Sequence, residues 1–141
     1  MARVKINLPE YFSYSCFIPV RISDINYGNH VGNDAFTSIL HEARVQFLSS
    51  MGYSELNVDG NGLIMADLEI VFKNEARYGD TLKIEMAAAN ISHSSFDLYY
   101  QVSTQAEKTT IIAQAKTGMV CFNYPQKRIA RFSEKFSDVL K

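Results

Sequence analysis

Apolar residues recur at helical spacing in one segment of the chain. The residues that follow one another at steps of three or four are Phe36, Ile39, Leu40, Ala43, Phe47 and Met51. This spacing places them on one face of an α-helix. Asn33 or Asp34 can cap the start of the helix, and Gly52 can end it. The sequence therefore predicts one amphipathic helix of about 17 residues that begins near Ala35.

Much of the remaining chain shows the alternation of apolar and polar residues that is typical of β-strands. The strand-like segments are residues 14–22, 63–73, 82–91, 95–104 and 109–123. Short polar links join the last three, which favours an antiparallel meander. Pro19 restricts the first strand to an edge or a bulge, and Ser133 can cap a short helix over residues 132–140. One long helix and a meander predict the α+β class, with the helix packed on the sheet.

Composition narrows the class of protein. A chain of 141 residues with 47% apolar residues predicts a single domain over residues 1–141. A net charge of −1 gives no reason to expect nucleic acid or an anionic membrane as a partner. We find neither an apolar segment long enough to span a bilayer nor a signal-peptide core. Cys16 and Cys121 lie in apolar segments, so we expect reduced thiols and a cytoplasmic protein. The sheet edges need cover, so we expect a homodimer.

A polar loop joins the first strand to the long helix. Its polar and glycine positions are Asp24, Asn26, Gly28, Asn29, His30, Gly32 and Asn33. The loop ends at a helix N-terminus, where unpaired N–H groups stabilise negative charge that develops on a carbonyl oxygen. Asp24 can act as base or nucleophile, and His30 can transfer a proton. Ordinary turns and caps would use the same residue types, so the loop residues taken alone leave a structural loop and an active-site loop both open.

The loop and helix together carry a family resemblance. The residues that carry the resemblance are Asp24-x-Asn26-x-x-Asn29-His30-Val31-Gly32-Asn33, followed by Glu42-Ala43-Arg44. The chain resembles the 4-hydroxybenzoyl-CoA thioesterase-like branch of the hotdog-fold superfamily. The usual family pattern is Asp-x-Asp-x-x-Gly-His-Val-Asn-Asn and then Glu-x-Ala-Arg, so the second element is compressed here. Further agreement with the family comes from two segments at the start of predicted strands, Gly62-Leu63-Ile64-Met65 and Tyr78-Gly79-Asp80. The resemblance covers roughly residues 14–123.

The resemblance implies a fold, an activity and a set of site residues. It implies a hotdog fold, in which an antiparallel sheet wraps a long central helix, and a homodimer or a tetramer with active sites between subunits. It implies hydrolysis of an acyl-CoA or acyl-carrier-protein thioester without metal, with coenzyme A present only as part of the substrate. The implied catalytic residues are Asp24, Asn26, His30 and Glu42. The implied substrate-binding residues are Tyr27, Gly28, Asn29, Gly32, Asn33 and Met65, with the backbone N–H groups of Gly32 and Asn33 as oxyanion donors.

One position departs from the family pattern. Asn26 stands where the family has its usual catalytic Asp, and an amide cannot take up a proton at neutral pH. Three hypotheses remain open: Asp24 takes over, Glu42 acts as base, or Asn26 orients water or substrate while hydrolysis is weak or absent. The last leads to an alternative function, a non-catalytic acyl-thioester-binding protein. A second alternative is an enoyl-CoA hydratase-like hotdog enzyme, although Tyr27 replaces the Pro of that branch.

Overall fold

A computed structural model describes residues 3–141 of the protein. The elements in chain order are β1 (Tyr14–Pro19), α1 (Asn33–Ser50), β2 (Gly62–Phe72), β3 (Thr81–Ala89), β4 (Ser95–Thr104), β5 (Thr110–Asn123), β6 (Arg128–Ile129) and α2 (Glu134–Leu140). A single 3-10 turn, Ile22–Asp24, follows β1. Met1 and Ala2, the first residues of the predicted domain and of the N-terminal segment, lie outside the described residues.

The strands form one antiparallel sheet. Its order is β1-β3-β4-β5-β2, and the short β6 pairs with β5. The predicted meander is confirmed as β3-β4-β5, while the strand predicted over 63–73 crosses over to pair with β5 at one edge. Pro19 ends β1 at the other edge, where its missing N–H costs no hydrogen bond to a neighbouring strand.

The long helix packs its apolar face on this sheet. Its buried apolar residues are Phe36, Ile39, Leu40, Ala43, Phe47 and Leu48. They form a single core with residues of the sheet such as Leu82, Ile84, Phe96 and Leu98. One long helix on a six-stranded antiparallel sheet confirms the α+β, hotdog-type architecture.

The helix start differs from the prediction. α1 begins at Asn33, two residues before Ala35, and its N-cap is Gly32, which has no side-chain cap. Asn33 and Asp34 both lie inside the first turn, so their predicted role as N-cap residues is wrong. At the other end Met51 is the C-cap and Gly52 follows with a φ of 84°, a left-handed conformation that favours glycine. The predicted stop at Gly52 is confirmed.

The predicted Ser133 cap and the buried cysteines are confirmed, and the predicted length of the first strand is wrong. Ser133 caps α2, because its hydroxyl accepts a hydrogen bond from the Phe136 N–H at 3.0 Å. Cys16 and Cys121 are both free and buried, as expected of core thiols. The first strand is shorter than predicted, since residues 22–24 turn away to start the polar loop. No helix within residues 3–141 is both long and apolar enough to cross a membrane.

Candidate active site

The polar loop is a tight turn held by its own backbone and one amide side chain. The Asn26 N–H donates to the His30 carbonyl oxygen at 3.0 Å, and the Asn29 N–H donates to the Asn26 carbonyl oxygen at 3.1 Å. The Oδ1 atom of Asn26 accepts from the Gly28 N–H at 2.9 Å. Asn29 has a φ of 65°, a conformation that Asn tolerates better than most residues. The side chain of Asn26 is therefore part of what shapes the loop.

The loop borders a cavity of about 420 Å³, the α1 cavity. The residues that line it are Asn26, His30, Val31, Asn33, Phe36, Phe72, Lys73, Asn74, Glu75 and Ala76. One wall is the loop and the start of α1, and the other is the end of β2 with the loop that leads to β3. Of the predicted site residues, the structure brings Asn26, His30 and Asn33 together here.

Hydrogen bonds fix the second wall of the α1 cavity. The carbonyl oxygen of Ala76 accepts from the Val31 N–H at 2.8 Å, which joins the two walls directly. The side-chain amide of Asn74 donates to the Ile111 carbonyl oxygen at 2.7 Å, and this anchors the wall to β5. Ala76 itself is buried. The β2–β3 loop is thus bonded to the polar loop on one side of Glu75 and to β5 on the other.

The start of α1 supplies one free backbone donor to the cavity. The Gly32 N–H donates to the Asp24 carbonyl oxygen at 3.2 Å, so it is already paired. The Asn33 N–H has no acceptor within residues 3–141. First-turn N–H groups of a helix carry the positive end of its dipole. Of the two amides implied as oxyanion donors, that of Asn33 is the one left available.

His30 lies against the glycine of the loop. Its side chain is 36% exposed, and Nε2 lies 3.9 Å from Oε1 of Glu75. Its Nδ1 lies 3.4 Å from the carbonyl oxygen of Val31. A Cβ added to Gly28 would stand 3.2 Å from both His30 Nε2 and Asn26 Oδ1. Gly28 therefore lets the imidazole and the amide approach each other across the turn.

The two predicted carboxylates lie elsewhere. Asp24 is 5% exposed, and its carboxylate accepts from the Arg21 N–H at 2.8 Å, which caps the 3-10 turn. Glu42 is exposed on α1 and accepts from the side chain of Gln46 at 2.9 Å. Asp24 and Glu42 line a second cavity of about 390 Å³ between β1 and α1, the β1 cavity. The structure does not bring either carboxylate into the α1 cavity.

Five of the six implied substrate-binding positions lie outside the lining of the α1 cavity, and they are Tyr27, Gly28, Asn29, Gly32 and Met65. Tyr27, Gly28 and Asn29 are exposed in the turn of the loop, with the Tyr27 side chain fully in solvent. Met65 is on β2, 42% exposed, and lines a third cavity of about 290 Å³ together with His41 and Arg44. That third cavity is separated from Asn26 and His30, neither of which lines it.

The charge of Arg44 has a structural role. This guanidinium is 6% exposed, and it donates to the Tyr100 hydroxyl at 3.1 Å and to Glu55 at 3.3 Å. Burial alone would lower the pKa of Arg44, but the contacts with Tyr100 and Glu55 raise it. Burial raises the pKa of Tyr100, whose hydroxyl also bonds Thr117 at 2.8 Å. Arg44 thus pairs with Glu55 and Tyr100 inside the core.

Sequence reasoning missed Asn74 and Glu75. They follow β2 in a connecting loop, far along the chain from His30, and no spacing rule links them to the polar loop. Glu75 is the only Asp or Glu among the residues that line the α1 cavity. Within residues 3–141, no group of three His, Cys, Asp or Glu side chains is arranged to hold a metal ion.

Comparison with known proteins places this geometry in a family. A profile described as the thioesterase-like superfamily matches residues 20–140. The 1,4-dihydroxy-2-naphthoyl-CoA hydrolase of Synechocystis is 30% identical over 114 residues, covering 79% of this chain and 82% of that protein. The enzyme of the same name from Rippkaea orientalis is 26% identical over 125 residues, covering 86% and 91%.

Solved structures agree on the fold. An Asp-to-Asn mutant of 4-hydroxybenzoyl-CoA thioesterase in complex with 4-hydroxybenzoyl-CoA superposes with a TM-score of 0.82 at 16% identity, over 91% of this chain and 98% of that one. A superposition at this identity indicates a shared hotdog fold and no more. Because the profile matches most of the chain, this protein belongs to the thioesterase-like superfamily.

Proposed function

We propose that this protein is an acyl-CoA thioester hydrolase whose reaction takes place in the α1 cavity. The observation that carries the proposal is that Asn26, His30 and Asn33, the first residue of α1, line one cavity. These groups can bind a carbonyl and transfer a proton, which are the two needs of thioester hydrolysis. The relatives that are named as CoA thioester hydrolases support the same reaction class.

The cavity supplies donors for the thioester carbonyl. The Asn33 N–H is unpaired within residues 3–141, and the Nδ2 of Asn26 likewise donates to no described residue. As water attacks, the carbonyl oxygen gains negative charge, and donors in place before the reaction stabilise it by about 3–4 kcal/mol each. Asn26 then serves as a donor, a role that an amide can fill and a carboxylate cannot.

An aromatic acyl group on coenzyme A is the first substrate class to test. The two relatives are named for 1,4-dihydroxy-2-naphthoyl-CoA, and the apolar part of the α1 cavity includes Phe36 and Phe72. Their rings meet edge to face with centroids 5.3 Å apart, a surface suited to a flat ring. Acyl chains of other lengths and acyl-carrier-protein thioesters form the other arms of the panel.

We also propose that the protein acts as a homodimer. The strand β2 has β5 on one side and an unpaired edge on the other. This edge strand is eleven residues long and carries exposed Met65, and long apolar edges are covered in stable proteins. Light scattering coupled to size exclusion will give the mass directly, and a monomer at micromolar concentration contradicts this part of the proposal.

Release of free thiol from a panel of acyl-CoAs tests the proposed hydrolysis. We expect turnover with at least one aromatic or fatty acyl-CoA, and a reduction of about 100-fold or more in kcat for His30→Gln, since general base catalysis contributes this much. Glu107→Gln, in the exposed β4–β5 turn, is the matched control. Absence of thiol release above background with every substrate refutes the proposal.

Binding without hydrolysis is the second candidate. One observation favours it: the family's usual acidic position is Asn26, and its Oδ1 atom already accepts from the Gly28 N–H. Calorimetry distinguishes the two, because micromolar binding of an acyl-CoA that stays intact for hours supports this candidate, and multiple turnovers exclude it. The same panel should include an enoyl-CoA, whose loss of absorbance would indicate hydration.

A further inference from the structure

The α1 cavity contains one carboxylate that lies outside the loop motif. Glu75 stands on the β2–β3 loop, with Oε1 3.9 Å from Nε2 of His30 and Oε2 3.4 Å from the guanidinium of Arg77. The two carboxylate oxygens therefore face different partners. One oxygen is held from the solvent side by Arg77, and the other is directed at the imidazole.

The separation between His30 and Glu75 suits a bridging water. A distance of 3.9 Å between Nε2 and Oε1 is too long for a direct hydrogen bond, while a water between two such groups can bond both. The Val31 carbonyl oxygen lies 3.4 Å from Nδ1, which favours the tautomer with its proton on Nδ1 and its lone pair on Nε2. Both groups that face the gap are then hydrogen-bond acceptors.

We propose that His30 and Glu75 together hold the hydrolytic water, so that Glu75 supplies the carboxylate that Asn26 lacks. This inference rests on the proposed thioester hydrolysis and deepens it. A water that donates one hydrogen to Nε2 and the other to Oε1 directs its oxygen lone pair at the thioester carbon. The water oxygen bonds that carbon while Nε2 takes one proton, and the negative charge moves to the carbonyl oxygen at Asn33. The C–S bond then breaks, and the imidazolium returns its proton to the leaving thiolate.

Glu75 is positioned well enough for this role. Its neighbour Asn74 is anchored to β5 through the Ile111 carbonyl oxygen, and its other neighbour Ala76 accepts from the Val31 N–H beside His30. The backbone on both sides is therefore fixed relative to the imidazole. The Glu75 side chain is 58% exposed, so water reaches it freely. The negative charge also favours the imidazolium that forms during the reaction.

The experiment compares six purified variants with the wild type on the best CoA thioester of the panel. We expect Glu75→Gln to lower kcat by about 10- to 100-fold with KM changed less than about threefold, because the missing charge acts on the proton transfer and not on binding. Glu75→Asp should recover part of the loss. Arg77→Gln removes only the second partner of Glu75 and should cost less than about threefold in kcat. Glu107→Gln should match the wild type.

Four outcomes overturn the inference. If Glu75→Gln keeps wild-type kcat while the wild type turns over, Glu75 does not hold the water, and the proposed function stands without it. If Arg77→Gln loses as much kcat as Glu75→Gln, the loss cannot be assigned to a carboxylate that acts on the water, and the inference fails. The double variant His30→Gln/Glu75→Gln should be no slower than His30→Gln alone, because the two side chains act on one water. A double variant that is slower than His30→Gln by the full factor lost in Glu75→Gln would contradict a shared water. No hydrolysis by the wild type removes both proposals.

Discussion

Removal of one buried hydroxyl should destabilise the fold more than the size of the change suggests. Tyr100 is fully buried, and its hydroxyl accepts from Arg44 at 3.1 Å and bonds Thr117 at 2.8 Å. Tyr100→Phe keeps the ring but leaves a guanidinium N–H and a threonine hydroxyl without that partner inside the core. A hydrogen bond to a charged group contributes about 1.5–3 kcal/mol and a neutral one about 1 kcal/mol. Since Arg44 retains Glu55, we expect the free energy of unfolding to fall by about 2–3 kcal/mol.

Urea unfolding followed by far-UV circular dichroism measures this loss. The chain has no Trp, so its fluorescence is a poor probe, and protein concentration must be equal in all samples because assembly adds to stability. Tyr99→Phe is the matched control. It is the same substitution one residue earlier on β4, where the hydroxyl bonds no described residue, and it should change stability by less than about 0.5 kcal/mol. Equal effects for the two variants refute the reasoning that the Arg44–Tyr100–Thr117 contacts stabilise the fold.

Four further predictions follow from particular contacts. Asn26→Asp should fold like the wild type, because either side chain can accept from the Gly28 N–H. It should lower kcat in the thiol-release assay by about 100-fold or more, because a carboxylate cannot donate to the developing oxyanion. An unchanged or higher kcat would mean that Asn26 is not an oxyanion donor. Gly28→Ala should lower kcat with little loss in unfolding free energy, because the added Cβ would stand 3.2 Å from Nε2 of His30 and displace the imidazole. An unaltered kcat would contradict the close approach between Gly28 and His30. Ser133→Ala should cost about 1 kcal/mol in urea unfolding by removing the cap of α2, and no loss would mean that this cap does not contribute. Burial, aided by Glu42, raises the pKa of the Cys16 thiol from 9.0 to about 11. The free energy of unfolding of the wild type should therefore fall as pH rises from 9 to 11, and that of Cys16→Ala should fall by about 2–3 kcal/mol less over the same range. Parallel plots of unfolding free energy against pH for the two proteins would argue against a buried neutral thiol.

The fold could be predicted from the sequence because its signals are local. The apolar stripe of α1, the alternation in β3 to β5 and the Ser133 cap all lie within short windows, and each depends on the geometry of one element. The N-cap of α1 was predicted wrongly because Asn33 and Asp34 are good capping residues by type. The chain instead enters the helix through Gly32, whose N–H is held by the Asp24 carbonyl oxygen.

The candidate site was only half predictable for a different reason. Asn26, His30 and Asn33 come from one loop, so their proximity follows from the sequence. Glu75 reaches the same cavity only because β2 runs along the sheet edge and its following loop docks on Val31. No local pattern contains that contact. The carboxylate of Asp24 lies outside this cavity and caps the turn at Arg21, a contact that its place in the motif does not reveal.

The side chain at position 26 also bears on how such a protein can change over time. Its Oδ1 atom closes the loop by accepting from the Gly28 N–H, and both Asn and Asp present an oxygen in that place. A single substitution can therefore exchange amide for carboxylate without rebuilding the turn. The reacting group at position 26 can therefore change while the conformation of the loop stays the same. Related proteins can differ in the group that hydrolyses the substrate, or can bind it without hydrolysis, and each variant along the way still folds.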